Sequence, residues 1–70
     1  MRMKKALELS NKIVSGKSYV KAHYGINRRT DKAVRLYGCD INEAKELASQ
    51  IASKINGTVR EAAGFVAVWF

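Results

Sequence analysis

Small and apolar residues change period along this chain. Met3, Ala6, Leu7, Ser10, Ile13 and Val14 recur at three- and four-residue steps, while Arg2, Lys4, Lys5, Glu8 and Lys12 lie off that stripe. Such spacing marks one face of a helix. Gly16 follows as a stop, because glycine tolerates the positive φ of a residue just past a helix end. The pattern predicts a first helix over residues 2–15, with Glu8 one turn before Lys12 and in reach of an ion pair. From Ser18 the period becomes two. Val20, Ala22, Tyr24 and Ile26 share one side, and Tyr19, Lys21 and His23 the other. After the polar run Asn27-Arg28-Arg29-Thr30-Asp31 the alternation resumes, with Val34 and Leu36 opposite Ala33, Arg35 and Tyr37. Two alternating runs about a polar turn predict an antiparallel hairpin. Asn27 or Asp31 is suited to close its loop through a side-chain hydrogen bond.

Asp40-Ile41-Asn42-Glu43 has the spacing of a capping box, with Asp40 at the N-cap and Glu43 three residues on. The stripe Ile41, Ala44, Leu47, Ala48, Ile51, Ala52, Ile55 then predicts a second helix over 41–55, stopped by Asn56-Gly57. Thr58 to Ala62 reads as a strand. Phe65 to Phe70 reads as another, apolar on both faces: Phe65, Ala67 and Trp69 on one, Val66, Val68 and Phe70 on the other. Ala63-Gly64 is either a tight turn between them or a bulge. The order is α-β-β-α-β-β. It predicts an α+β fold, a four-stranded antiparallel sheet with both helices packed on one face, in a single small basic domain spanning 1–70.

Seventy residues bury only a modest core. One cysteine, Cys39, cannot form an intrachain disulfide, and with one histidine, His23, it makes no structural zinc site. Oligomerisation is then the available reinforcement. An all-apolar strand needs cover on both faces, so Phe65, Val66, Val68, Trp69 and Phe70 are a candidate interface for a homodimer or another protein, the alternative being that Phe65, Val66, Val68 and Trp69 are simply core. The lone thiol fits a reducing compartment. The opening MRMKKALELSNKIVSG begins basic, as a leader would, but Glu8, Asn11 and Lys12 interrupt its apolar run. No segment approaches the roughly 20 apolar residues of a membrane span. The chain is expected to be cytoplasmic and to bind no membrane.

The net charge of +7 is uneven. Residues 1–38 hold ten Lys/Arg against Glu8 and Asp31, and residues 39–70 hold three against four acids. A one-sided positive field attracts polyanions. In the predicted hairpin Tyr19, Lys21 and His23 point the same way as Arg35 and Tyr37. Arg28 and Arg29 are at the tip, with Lys32 beside it. Cations neutralise phosphates, and aromatic or guanidinium planes stack on unpaired bases. A two-stranded ribbon can instead enter a major groove. Nucleic acid, DNA or RNA, is therefore the expected partner of the 17–37 hairpin; the alternative is an acidic surface on a host protein, such as an enzyme that handles nucleic acid.

Nothing in the chain predicts catalysis. His23 and Cys39 are each single, the acids are scattered, and the five glycines form no phosphate loop. Neither a metal nor a cofactor is expected. The hairpin, the segment CDINEAKELAS, Gly57 and the strand TVREA form a ββαβ pattern over residues 18–68. In layout this resembles several very small phage-encoded inhibitors of host machinery, among them some anti-CRISPR proteins and a phage inhibitor of host RNA polymerase. The resemblance implies a compact non-enzymatic binder that acts by occupying a surface, and assigns no residue a role.

Overall fold

The structure, a computed structural model, describes residues 1–14 and 16–70. Helix α1 spans Met3–Ile13, followed by strands β1 (Tyr19–Tyr24) and β2 (Lys32–Tyr37), helix α2 (Ile41–Ile55), and strands β3 (Thr58–Ala62) and β4 (Phe65–Trp69). The four strands form one antiparallel sheet in the order β1-β2-β4-β3. Both helices cover the same side, α1 over β1 and β2, and α2 chiefly over β4 and β3. The shortest dimension of the backbone is 17 Å, which fits two layers and no third.

Local chemistry explains the boundaries. At α2 the Asp40 carboxylate accepts the Glu43 backbone N–H at 2.9 Å, half of the reciprocal capping pattern. At the other end Asn56 takes the left-handed conformation (φ 55°). Gly57 follows where the chain passes close to β4: a Cβ there would meet Val68 Cγ1 at 2.6 Å and the Trp69 carbonyl oxygen at 2.7 Å. Between β3 and β4, Ala63-Gly64 makes a two-residue turn rather than a bulge, using the positive φ of Gly64. Helix α1 stops earlier than its spacing predicts. It ends at Ile13, Val14 is extended, and Ser15 lies outside the described residues. Glu8 and Lys12 do not pair; among the described residues the ion pair is Lys45–Glu61, 3.1 Å, tying α2 to β3.

The core lies between helices and sheet. Val34, Leu36, Val66 and Val68 from the inner strands meet Ala6 and Val14 of the α1 segment and Ala44, Ala48, Ile51 and Ile55 of α2. Ser10 is also fully buried, and its hydroxyl donates to the Ala6 carbonyl at 2.7 Å. This arrangement corrects several sequence-based expectations. Val66 and Val68 are fully buried beneath α2, so they are core and not an interface. Strand β4 is hydrogen-bonded on both sides, by β2 and β3, so it offers no free edge to a second copy. Phe70 packs on the same core, and its N–H donates to the Lys32 carbonyl at 2.9 Å. Ile26 leaves the apolar side of β1 entirely and stands fully exposed in the loop. Ile41, in the first turn of α2, stays 46% exposed.

Candidate nucleic-acid interface

Among the described residues none forms a layer over the side of the sheet away from the helices. Alternation along each strand decides what it carries. The register places Lys21, Arg35, Ala67 and Arg60 in one row across all four strands. On one flank of that row Tyr19 pairs with Tyr37, and Phe65 continues the same side of β4. On the other flank His23, Ala33, Trp69 and Thr58 form a second row. A line of three cations thus runs between two groups of rings. With about 4.8 Å between strands the line is about 14 Å long, and each aromatic row lies about 7 Å to its side.

The side chains hold one another in place. Tyr19 and Tyr37 are stacked, centroids 5.4 Å apart and 13° between planes. The Lys21 ammonium lies 5.8 Å and 5.5 Å from their two centroids. The Arg35 guanidinium packs on Phe65 at 3.7 Å and stands 5.4 Å from Tyr37. His23 meets Trp69 edge-on at 5.5 Å, and Arg60 reaches the same indole at 5.9 Å. Cation–ring contacts of this kind are each worth about 0.5–1 kcal/mol where exposed. Two small residues floor the face: Ala33 lies between His23 and Trp69, and Ala67 between Arg35 and Arg60, both buried under these larger neighbours. The Arg35 Nε is buried without a hydrogen-bond partner.

Among the described residues no strand contributes a carboxylate to this face, although Asp31 of the hairpin loop borders the cleft that Arg60 and Trp69 also line. Glu8 is on α1, Glu43 and Glu46 are on α2 with Asp40 at its cap, and Asp31 is in the hairpin loop. Glu61 falls on the helix side of β3, where it pairs with Lys45.

The remaining sequence-predicted residues separate into two places. Arg28 and Arg29 are exposed in the loop that joins β1 to β2, past the His23–Ala33 row and to the side of the cation row. The loop is closed by both candidates: Asn27 Oδ1 accepts the Arg29 N–H at 3.0 Å, and Asp31 Oδ2 accepts the Asn27 N–H at 3.2 Å. The Arg28 guanidinium covers the Tyr24 ring at 4.5 Å. Lys32 does not join the face. Alternation turns it to the helix side, where its Nζ donates to the Met1 carbonyl at 2.6 Å and lies 5.1 Å from the Phe70 ring. Thr30, Asp31, Lys32, Arg60, Trp69 and Phe70 line a cleft of about 330 Å³ at this end of the sheet.

Arg60 is the residue that sequence reasoning passed over. It sits in the acidic half of the chain, and its one legible signal is its position two residues after Thr58 in an alternating strand. His23 and Cys39 lie at opposite ends of β2's register: His23 faces Ala33, whereas Cys39 follows Tyr37. The four-residue step from Ala33 to Tyr37 separates those ends by about 13 Å. Among the described residues no three His, Cys, Asp or Glu side chains cluster as metal ligands, and no helix is long and apolar enough to cross a membrane. No protein-family model, curated protein or solved structure matches the chain.

Proposed function

We propose that this protein is a non-enzymatic nucleic-acid-binding module whose contact surface is the open sheet face, with the 19–37 hairpin supplying half of it. The observation that carries this reading is the row Lys21–Arg35–Arg60 between aromatic flanks, on strands that contribute no carboxylate to that face. Phosphates need cations without competing acids, and bases need flat apolar planes. Both chemistries stand on one surface, held by their mutual contacts, so little side-chain freedom is lost on binding.

The test is fluorescence anisotropy with labelled single- and double-stranded DNA and RNA at about 50 mM and about 200 mM salt. Micromolar or tighter binding to at least one of the four is expected at the lower salt. The double variant Lys21→Gln/Arg60→Gln is expected to weaken it by about tenfold or more, since two phosphate contacts are removed. Absence of binding to all four at the lower salt overturns the reading.

A second reading draws on the hairpin tip. Ile26 is fully exposed beside Arg28 and Arg29, and an apolar residue next to arginines suits a protein interface. It would make the chain an inhibitor or adaptor of the phage-encoded type, docking on an acidic surface of a host enzyme.

A further inference from the structure

We infer that the polymer taken by the open face is single-stranded, with its phosphates along the Lys21–Arg35–Arg60 row and its unpaired bases turned onto the flanking rings. This rests on the nucleic-acid reading and narrows it to one substrate class.

Three observations favour a single strand over a duplex. The first is width. A B-DNA major groove of about 12 Å admits a two-stranded ribbon. The β1–β2 hairpin is not a free ribbon, because β2 is also bonded to β4 and α1 covers its back. The face spans four strands, about 14 Å between the outer strand axes before any side chain is added. It therefore cannot enter the groove as a unit. The second is the aromatic content. In a duplex the bases are stacked on each other and leave rings such as Tyr19, Tyr37, Phe65 and Trp69 with nothing to stack on. Unpaired bases do offer their faces, and four-stranded sheets that bind single-stranded RNA stack two or three bases this way. The third is the order of the rows. With cations in the middle and rings on both sides, a strand crossing perpendicular to the β-strands meets charge along its backbone and planes to either side. Tyr19, on the edge strand and 46% exposed, is the most accessible of these rings.

The experiment compares affinities for labelled single strands and duplexes of about 12 residues, as DNA and as RNA, within the site sizes known for small single-strand binders. The expected result is at least about tenfold tighter binding of one or both single strands than of either duplex. The double variant Tyr19→Leu/Tyr37→Leu, which keeps apolar strand residues and all three cations, is expected to lose about tenfold in single-strand affinity, the scale of one or two lost stacking contacts. Should that variant fail to fold, Tyr19→Leu alone serves, with an expected loss of about fivefold. Duplex binding equal to or tighter than single-strand binding overturns this inference and leaves the nucleic-acid reading intact. Failure of every probe to bind at about 50 mM salt overturns both. Wild-type affinity in a folded tyrosine variant also overturns the stacking geometry.

Discussion

Arg35 lies at the centre of the face with its guanidinium carbon 3.7 Å from the Phe65 ring centroid and its Nε–H buried without an acceptor. A buried donor left unpaired costs about 1–3 kcal/mol, whereas an apolar group of similar shape carries no such penalty. The long stem of arginine also packs as a hydrophobe. Arg35→Met is therefore expected to leave folding stability within about 1 kcal/mol of the parent, or to raise it, in urea unfolding followed by circular dichroism. The same change should weaken nucleic-acid binding by about tenfold, since it removes one row cation and one stacking plane. A stability loss above about 2 kcal/mol would instead mean that the guanidinium makes a folding contact. With the expected result the residue is placed at no benefit to the fold, unlike Val34 and Val68, which pair with each other in the neighbouring row on the helix side and are wholly core.

At the scale of elements, α2 is the longest element, and its start is capped by one side chain. Asp40 accepts the Glu43 N–H, and its charge also sits at the positive end of the helix dipole. Asp40→Ala is expected to cost about 1 kcal/mol of stability. It should leave nucleic-acid affinity unchanged once the protein is folded, because α2 lies on the opposite side of the sheet from the cation row. The check is a thermal melt paired with anisotropy at a temperature well below the midpoint. A loss of affinity without a loss of stability would place the helix in the interface. The opposite asymmetry holds for the sheet edges. Strands β1 and β3 carry Lys21 and Arg60 at the outer ends of the row, so the exposed edges and the proposed binding surface belong to the same elements. Charged residues on an edge also discourage pairing with another chain.

For the whole molecule the formal charge of +7 overstates what one surface presents. Arg2, Lys4, Lys5 and Lys12 project from the helix layer, and Arg28 and Arg29 from the loop, so the ten cations of the first half form no single patch. Only Lys21 and Arg35 of that half reach the row, where Arg60 of the acidic half joins them. Single-strand binding has a log–log salt slope of about −0.7 per neutralised phosphate. Three contacts give a slope of about −2, or about a 20-fold loss between about 50 and 200 mM salt. Engagement of all ten first-half cations would give about −7. A titration of affinity against salt distinguishes these, and a slope steeper than about −4 would bring the loop or the α1 lysines into the account.

Much of this arrangement was already written in local periodicity. A three-to-four-residue period, a period of two and the residues that interrupt them are properties of neighbouring positions, so both helices, the hairpin, the shared side of Tyr19, Lys21, His23, Arg35 and Tyr37, and the α+β class could be read from the sequence, whereas the register that pairs Tyr19 with Tyr37 and Lys21 with Arg35 could not. Periodicity holds no information about which strands become neighbours. The order β1-β2-β4-β3 arises because each helix buries its stripe against a different part of one sheet, and that packing set β4 in the middle. Three consequences followed that no spacing could supply: Val66 and Val68 went under α2, Phe65 and Trp69 turned to the open side, and Arg60 came into line with Lys21 and Arg35. Lys32 shows the same limit in reverse. Its alternation was legible in the sequence, but its bond to the Met1 carbonyl and its place over Phe70 depend on chain ends that only folding brings together.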